Sequence, residues 1–513
     1  MDDDEYLSAI LLTHAHADHY QTLVENIQDG AEVIMTPATA SILETVLSEA
    51  SKHSKIDNLD WESIEDSIKT VTDWYELSSN VKLRPVPAGH VPGACSYLIQ
   101  FDDDKHILST GDFTFDRAAG YPPIPENELS EIGIDILFLN SSTSQPGELT
   151  ESIDAILEQA ISGSDVLVTA SGMTCVKYVY LLGHLIEERD INLSVSIAGQ
   201  AAKIYDDLDY DVPNVTSYPV YESTDEVLES DISVAGPEKP EEGSSKILFD
   251  EIKHDPSATL VRILAAFSRS MESASCTVME FKRVNHPTED EMYKFIEDLN
   301  PVHTVIQHGG KTKWGDVFDF TLTWADDETV SRVLYSNGDW EKPGWLKDET
   351  YEMILRNNRS HGEPDLSGVV GENLDEIMTP ELPSLEISEE PDLEKEGVEL
   401  DEIAKRDLHS SSENEGFEAE SKPEKEVRRT SVQNREDTDF EGEDVSLRDL
   451  KQILERIEKQ FDSNSNSETY EAFVVDTGEG GDLLVRIDGH TSDDLDLEHG
   501  QIINVSLDNQ KNR

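Results

Sequence analysis

Cysteine is nearly absent from this chain. Cys95, Cys175 and Cys276 are the only three in 513 residues, and no two form a Cys-x-x-Cys pair. That spacing excludes a disulfide framework and a cysteine-built zinc site. Long apolar runs are missing as well, and the first residues are acidic rather than leader-like, so a soluble cytoplasmic protein without a membrane partner is expected. Positive charge is scarce: 40 Lys and Arg stand against 109 Asp and Glu, for a formal net charge of -69.

Such a charge repels itself strongly in dilute buffer. In molar salt the screening length falls to about 3 Å and the repulsion largely vanishes. The acidic runs are spread along the chain, from Asp2-Asp3-Asp4 through Asp102-Asp103-Asp104 to Asp493-Asp494. A bias carried by every region reads as adaptation to a salt-rich cytoplasm, as in a halophilic archaeon, rather than as one acidic tail. It does not exclude a nucleic-acid partner, because phosphate contacts are already weakened at such salt.

The pattern of the chain is α/β. Residues 7–13 form an apolar run ending at His14, and residues 38–51 have helical spacing. Strand signals follow at 81–87, 96–101, 106–109 and 134–139. A second α/β stretch, 148–275, alternates strands at 165–170 and 193–198 with a helix from Gly172, which predicts parallel pairing with crossover helices. Strand signals return at 278–284 and 304–307, around a helix at 288–299. The section 346–445 is rich in Glu, Asp, Ser and Pro, and is read as a disordered linker because it cannot bury enough apolar surface. An amphipathic helix at 446–462, suited to pairing with a second copy or a paralogue, and a small β unit at 468–510 close the chain.

Thr13-His14-Ala15-His16-Ala17-Asp18-His19 is the most informative segment. Four ligand-type residues lie within six positions, directly after an apolar strand. Imidazole and carboxylate are the donors that a borderline divalent ion such as Zn²⁺ accepts. His14 and His16 alternate on an extended backbone and can face one ion; Asp18 and His19 can reach a neighbouring one. His90, in a Gly-flanked loop, and Asp112, in Thr110-Gly111-Asp112-Phe113, are each weak signals alone. Their order after the first motif makes both candidate ligands.

This arrangement resembles the metallo-β-lactamase superfamily, with His14-x-His16-x-Asp18-His19, His90 and Asp112 matching its successive motifs. The second α/β stretch resembles the inserted cap of the β-CASP nuclease branch, related to the cleavage and polyadenylation endonuclease and ribonuclease J. His286, before Pro287, falls at the branch's motif B, and His308, in His308-Gly309-Gly310, at its motif C. The resemblance covers about residues 7–315. It implies an αββα sandwich in segments 1–147 and 276–345, with the cap at 148–275 between them. It also implies two Zn²⁺: His14, His16 and His90 on one, Asp18, His19 and His308 on the other, and Asp112 bridging. His286, as general acid, and Asp18 would be the catalytic residues.

Three features depart from that family. Only six residues precede the strand that enters His14, so part of the first sheet is expected to be missing, through a misassigned start or a truncation. Asn140 stands where the family carries an acid; it could accept a hydrogen bond from His286 but cannot help hold an imidazolium. The usual acids after His286 and after His308-Gly309 are replaced. The expected activity is therefore metal-dependent phosphodiester hydrolysis of RNA, or of single-stranded DNA, in RNA decay or mRNA 3′-end processing. The alternatives are a catalytically weak scaffold that binds RNA or a partner, and a hydrolase of small esters or thioesters. Lys311, Lys313, Arg269 and Lys282 are the nearby cations available for phosphate.

Overall fold

A computed structural model describes residues 9–27, 31–52, 61–101, 105–144, 148–265, 274–282, 285–307, 321–325, 333–336, 339–342, 348, 351–355, 380–388 and 390–403, with short strands between 469 and 505. The chain divides into two compact units, 1–413 and 414–513.

The first unit holds three main sheets. Strands β1 (Ala9–Leu11), β2 (Glu32–Met35) and β3 (Ile68–Thr70) make a parallel three-stranded sheet. A seven-stranded sheet takes β4 (Tyr75–Ser78), β5 (Val81–Pro87), β6 (Cys95–Phe101), β7 (Lys105–Ser109) and β8 (Ile136–Asn140) from before the cap section. It takes β15 (His303–Gln307) and β16 (Leu322–Ala325) from after it, in the order β16-β15-β8-β7-β6-β5-β4. Between them in sequence lie β9 (Val166–Thr169), β10 (Val195–Ala198), β11 (Val215–Tyr218), β12 (Ile232–Ala235), β13 (Thr259–Leu264) and β14 (Thr277–Lys282). These form a six-stranded sheet in the order β11-β10-β12-β9-β13-β14, parallel throughout. The central strands β9, β10, β12 and β13 are buried at every position, as a sheet covered on both faces requires.

The short sheet packs on the seven-stranded one. Ile34 and Val71 meet Leu83, Cys95 and Tyr97, all nearly solvent-free. The Tyr97 hydroxyl donates to the carbonyls of Leu12, at 3.0 Å, and Ile34, at 2.7 Å, and so ties the strand that leads into His14 to its neighbours. The helix Pro37–Lys52 starts on a proline, whose missing N–H costs nothing there, and buries Ile42, Leu43, Val46 and Leu47 at helical spacing. The helix Glu289–Leu299 is fixed by a capping box between Thr288 and Glu291 and ends on Asn300 in the left-handed region, φ 42°.

Two expectations change. The strand at Thr277–Lys282 pairs with β13, so the second sheet extends past residue 275 and the chain rejoins the seven-stranded sheet only at β15. The acidic section is not uniformly a linker. Within it, residues 380–388 and 390–403 pack on the rest of the first unit: Leu382, Leu393, Val398 and Ile403 are each at most 5% exposed. Composition predicts disorder for a segment that must build its own core; this one borrows apolar surface from its neighbours.

In the second unit the strands Ala472–Thr477 and Leu483–Ile487 pair antiparallel. The helix expected at 446–462 lies outside the described residues. No helix among the described residues is long and apolar enough to cross a membrane. Tyr97→Phe removes a bond to Leu12 and Ile34 without changing shape, and should lower the unfolding free energy by about 1 kcal/mol. Chemical denaturation in fixed high salt measures this.

Candidate metal centre

The site is assembled from loop ends. β1 delivers Thr13 and His14, and the Thr13 carbonyl accepts from the Cys95 amide at 2.9 Å, anchoring the loop to β6. His90 follows β5, after Gly89 with φ 76°; a side chain at Gly89 would meet the Asp116 carbonyl at 2.5 Å. Asp112 follows β7, after Gly111 with φ 55°, which sits against Thr13 too closely for a Cβ. These two glycines allow the three loops to approach one another.

His14, His16, His90 and Asp112 bring one donor atom each to within 4.8 Å of one another. His14 Nε2 lies 3.0 Å from His16 Nδ1, and His90 Nε2 lies 3.1 Å from the same atom. Asp112 Oδ2 is 3.4 Å from His90 Nε2 and 3.8 Å from His14 Nε2. Ligands of a tetrahedral ion with bonds of about 2.0–2.1 Å stand roughly 3.3 Å apart. The spacing and the N₃O donor set therefore fit a divalent ion such as Zn²⁺.

Burial is the main force on these imidazoles. It pushes His14 and His90 well below their ordinary value, with the neighbouring histidines adding to the effect. Burial also lowers His16 to about 4, against the opposing pull of Asp112 and Asp18. All three are neutral at pH 7, the form that binds metal. His90 is further oriented by the Asn285 carbonyl, 2.6 Å from its Nδ1, which leaves Nε2 to face the cluster. The Asn285 amide in turn donates to the His90 carbonyl.

The remaining candidates divide. His19 borders the cluster, its Nε2 3.7 Å from Asp112 Oδ1, and Thr13 Oγ1 lies 3.1 Å from His14 Nδ1 and 3.3 Å from His19 Nδ1. His286 stacks on His90 with ring centroids 4.8 Å apart, and its Nε2 is 3.9 Å from Asp112 Oδ2. Asp18 is more peripheral: its carboxylate is 66% exposed and 3.8 Å from His19. His308 lies outside the described residues, as do Lys311, Lys313 and Arg269; Gln307, at the end of β15, is registered opposite Asn140. The Asn140 side chain is turned to Asp112, donating to Oδ1, while its own oxygen accepts from the Ser142 amide at 2.9 Å. The partner expected for it was His286; the Asp112 carboxylate takes the amide because β8 ends beside it. Sequence reading missed Thr13 and Asn285, each of which is adjacent to a flagged histidine.

The stretch that carries the cluster has known relatives. Residues 2–174 match the family described as Beta-lactamase superfamily domain. That stretch is a metallo-β-lactamase domain. It is 27% identical over 165 residues to the DNA cross-link repair 1A protein of Mus musculus, covering 32% of this chain and 14% of that one. Ribonuclease TTHA0252 of Thermus thermophilus is 25% identical over 219 residues, covering 40% and 50%. The RNase J-like protein of Methanocaldococcus jannaschii is 25% identical over 190 residues, covering 35% and 42%. Two of these three relatives carry ribonuclease names, and the chain spans half or less of the length of each.

With the folded His16 titrating near 4 and the unfolded one near 6.5, the unfolded chain binds more protons between those values, so stability rises with pH across that window. The thermal midpoint of the metal-free protein should increase from pH 4.5 to pH 7 at constant salt, and less so in His16→Ala. Calorimetry at both pH values measures the difference.

Proposed function

We propose that this chain is a metal-dependent phosphodiester hydrolase that cleaves RNA. The convergence of His14, His16, His90 and Asp112 beside His286 carries the reading, and the nuclease relatives support it. His14, His16 and His90 would hold one Zn²⁺. His19, with Asp18 and His308, would hold a second, and Asp112 would lie between the two. When bound, such ions supply Lewis acidity toward a phosphate and make water nucleophilic at neutral pH.

The protein's own groups do the rest. Thr13 Oγ1, between the rings of His14 and His19, holds both in register. Asn140 fixes one oxygen of Asp112 and leaves the other facing His90. His286 Nε2, at the edge of the cluster, is placed to give a proton to the departing oxygen, which relieves charge as the P–O bond breaks. The cellular setting that fits is RNA decay or 3′-end processing in the cytoplasm of a salt-adapted cell.

One observation favours a weaker catalyst. Asn140 gives the site a neutral amide where an acid would hold an imidazolium, so His286 keeps less charge support. The test is labelled RNA, with single-stranded DNA in parallel, incubated in high potassium chloride with and without chelator. Cleavage should be lost in chelator and fall at least 10³-fold in His16→Ala, as for removal of a primary catalytic group. His286→Ala should lower kcat about 10²–10⁴-fold with zinc content unchanged. Cleavage that survives chelation refutes the reading, and RNA binding without cleavage favours a scaffold.

A further inference from the structure

The segment 380–403 is linked to the metal centre through hydrogen bonds around residues 117–120 and the charge of Lys177. The backbone at Ala119 and Gly120 is left-handed at both positions, φ 52° and 89°. Two successive amides then point the same way and form an anion cradle. The Glu396 carboxylate fills it, taking the Ala119 amide at 2.8 Å and the Gly120 amide at 2.6 Å, with the residue wholly buried. Further bonds hold the segment on both sides. The Arg117 amide donates to the Lys395 carbonyl at 2.7 Å and the Ser388 amide to the Gly120 carbonyl at 3.0 Å. The Glu399 amide reaches Thr150 Oγ1 at 2.9 Å, and Arg189 the Leu400 carbonyl at 2.8 Å.

Lys177 is the link inward. Its helix, Gly172–Glu188, belongs to the six-stranded part, and the residue is 5% exposed. The ammonium donates to the Arg117 carbonyl at 3.0 Å and reaches Asn285 Oδ1 at 3.5 Å. Burial raises the Glu396 carboxyl, while Lys177, the two amides and Arg117 pull it back toward the charged form. Burying an ammonium is costly, and an opposite charge offsets that cost. Asn285 then grips His90 from two directions, through its backbone carbonyl and its side-chain amide.

We propose that residues 380–403 are an internal clamp, and that Glu396, Lys177 and Asn285 are positioning residues that set His90 for metal binding. The proposal rests on the metal site described above. An acidic segment far along the chain thereby becomes part of a centre built from residues 14–112. The four buried apolar residues Leu382, Leu393, Val398 and Ile403 hold the clamp closed by removing apolar surface from water.

The test uses the full chain in high potassium chloride, with Zn²⁺ as probe in competition with a chromophoric chelator, and circular dichroism to confirm folding. Asn285→Ala should weaken zinc binding about 10–100-fold, the usual scale for a residue that orients a ligand. Glu396→Gln and Lys177→Met should each weaken it several-fold, and the double variant no more than the larger single one, because they act in one chain of contacts. A folded Glu396→Gln that is less stable yet binds zinc like the parent overturns the proposal, as do additive effects in the double variant. Should Glu396→Gln fail to fold, Lys177→Met and Asn285→Ala give the same readout. Wild-type protein that binds zinc without cleaving RNA refutes the nuclease reading alone, and the zinc affinities still decide the clamp. Wild-type protein that binds no zinc overturns both.

Discussion

The desolvation of His14, His16, His90 and Asp112 is the constraint on which the rest of the molecule turns. Three imidazoles with donor nitrogens 3.0 and 3.1 Å apart have little reason to sit together in a dry place unless an ion joins them. Burial that keeps them neutral also prepares them as ligands, so the same force serves folding and function. The two sheets, the glycines at 89 and 111, and the tyrosine hydroxyl that ties residues 12 and 34 bring loops 13–19, 88–94 and 110–114 to one point.

Around that point the protein arranges polar support of graded strength. Thr13 and the Asn285 carbonyl set ring orientation, and Asn140 orders the Asp112 carboxylate. The exposed Asp18 and the adjacent His19 make the outer side of the centre more open to solvent than the side of His14 and His90. A negatively charged substrate has little positive surface to find on a chain of net charge -69. Any attraction must come from the ions and from local cations, and salt screens the rest.

Much of this was legible in the sequence, for identifiable reasons. A strand ending in a cluster of histidines is compact information, and β1 with His14, His16 and His19 follows from it. Parallel pairing in the second α/β stretch followed from strand signals at 165–170 and 193–198 around a helical pattern, whereas β11, β12 and β13 gave no such signal. Contacts between distant residues were not legible: nothing near Asn140 announces that its amide meets Asp112. Residues 380–403 show the limit most clearly. Their acidic average hid four apolar side chains whose partners lie hundreds of positions earlier, and a window along the chain cannot detect a surface supplied from elsewhere.

The Glu396 cradle also orders events in time. Ala119 and Gly120 are made some 275 residues before the carboxylate that fills them. At roughly 5–20 residues per second, ribosomal synthesis leaves those amides waiting for about 14–55 s. Both sheets can form in that interval, but the bonds of Glu396 to those amides close only after residue 396 has left the ribosome. A nascent chain would thus seat this segment as one of its last acts of folding, when nearly all of the first compact unit is already made.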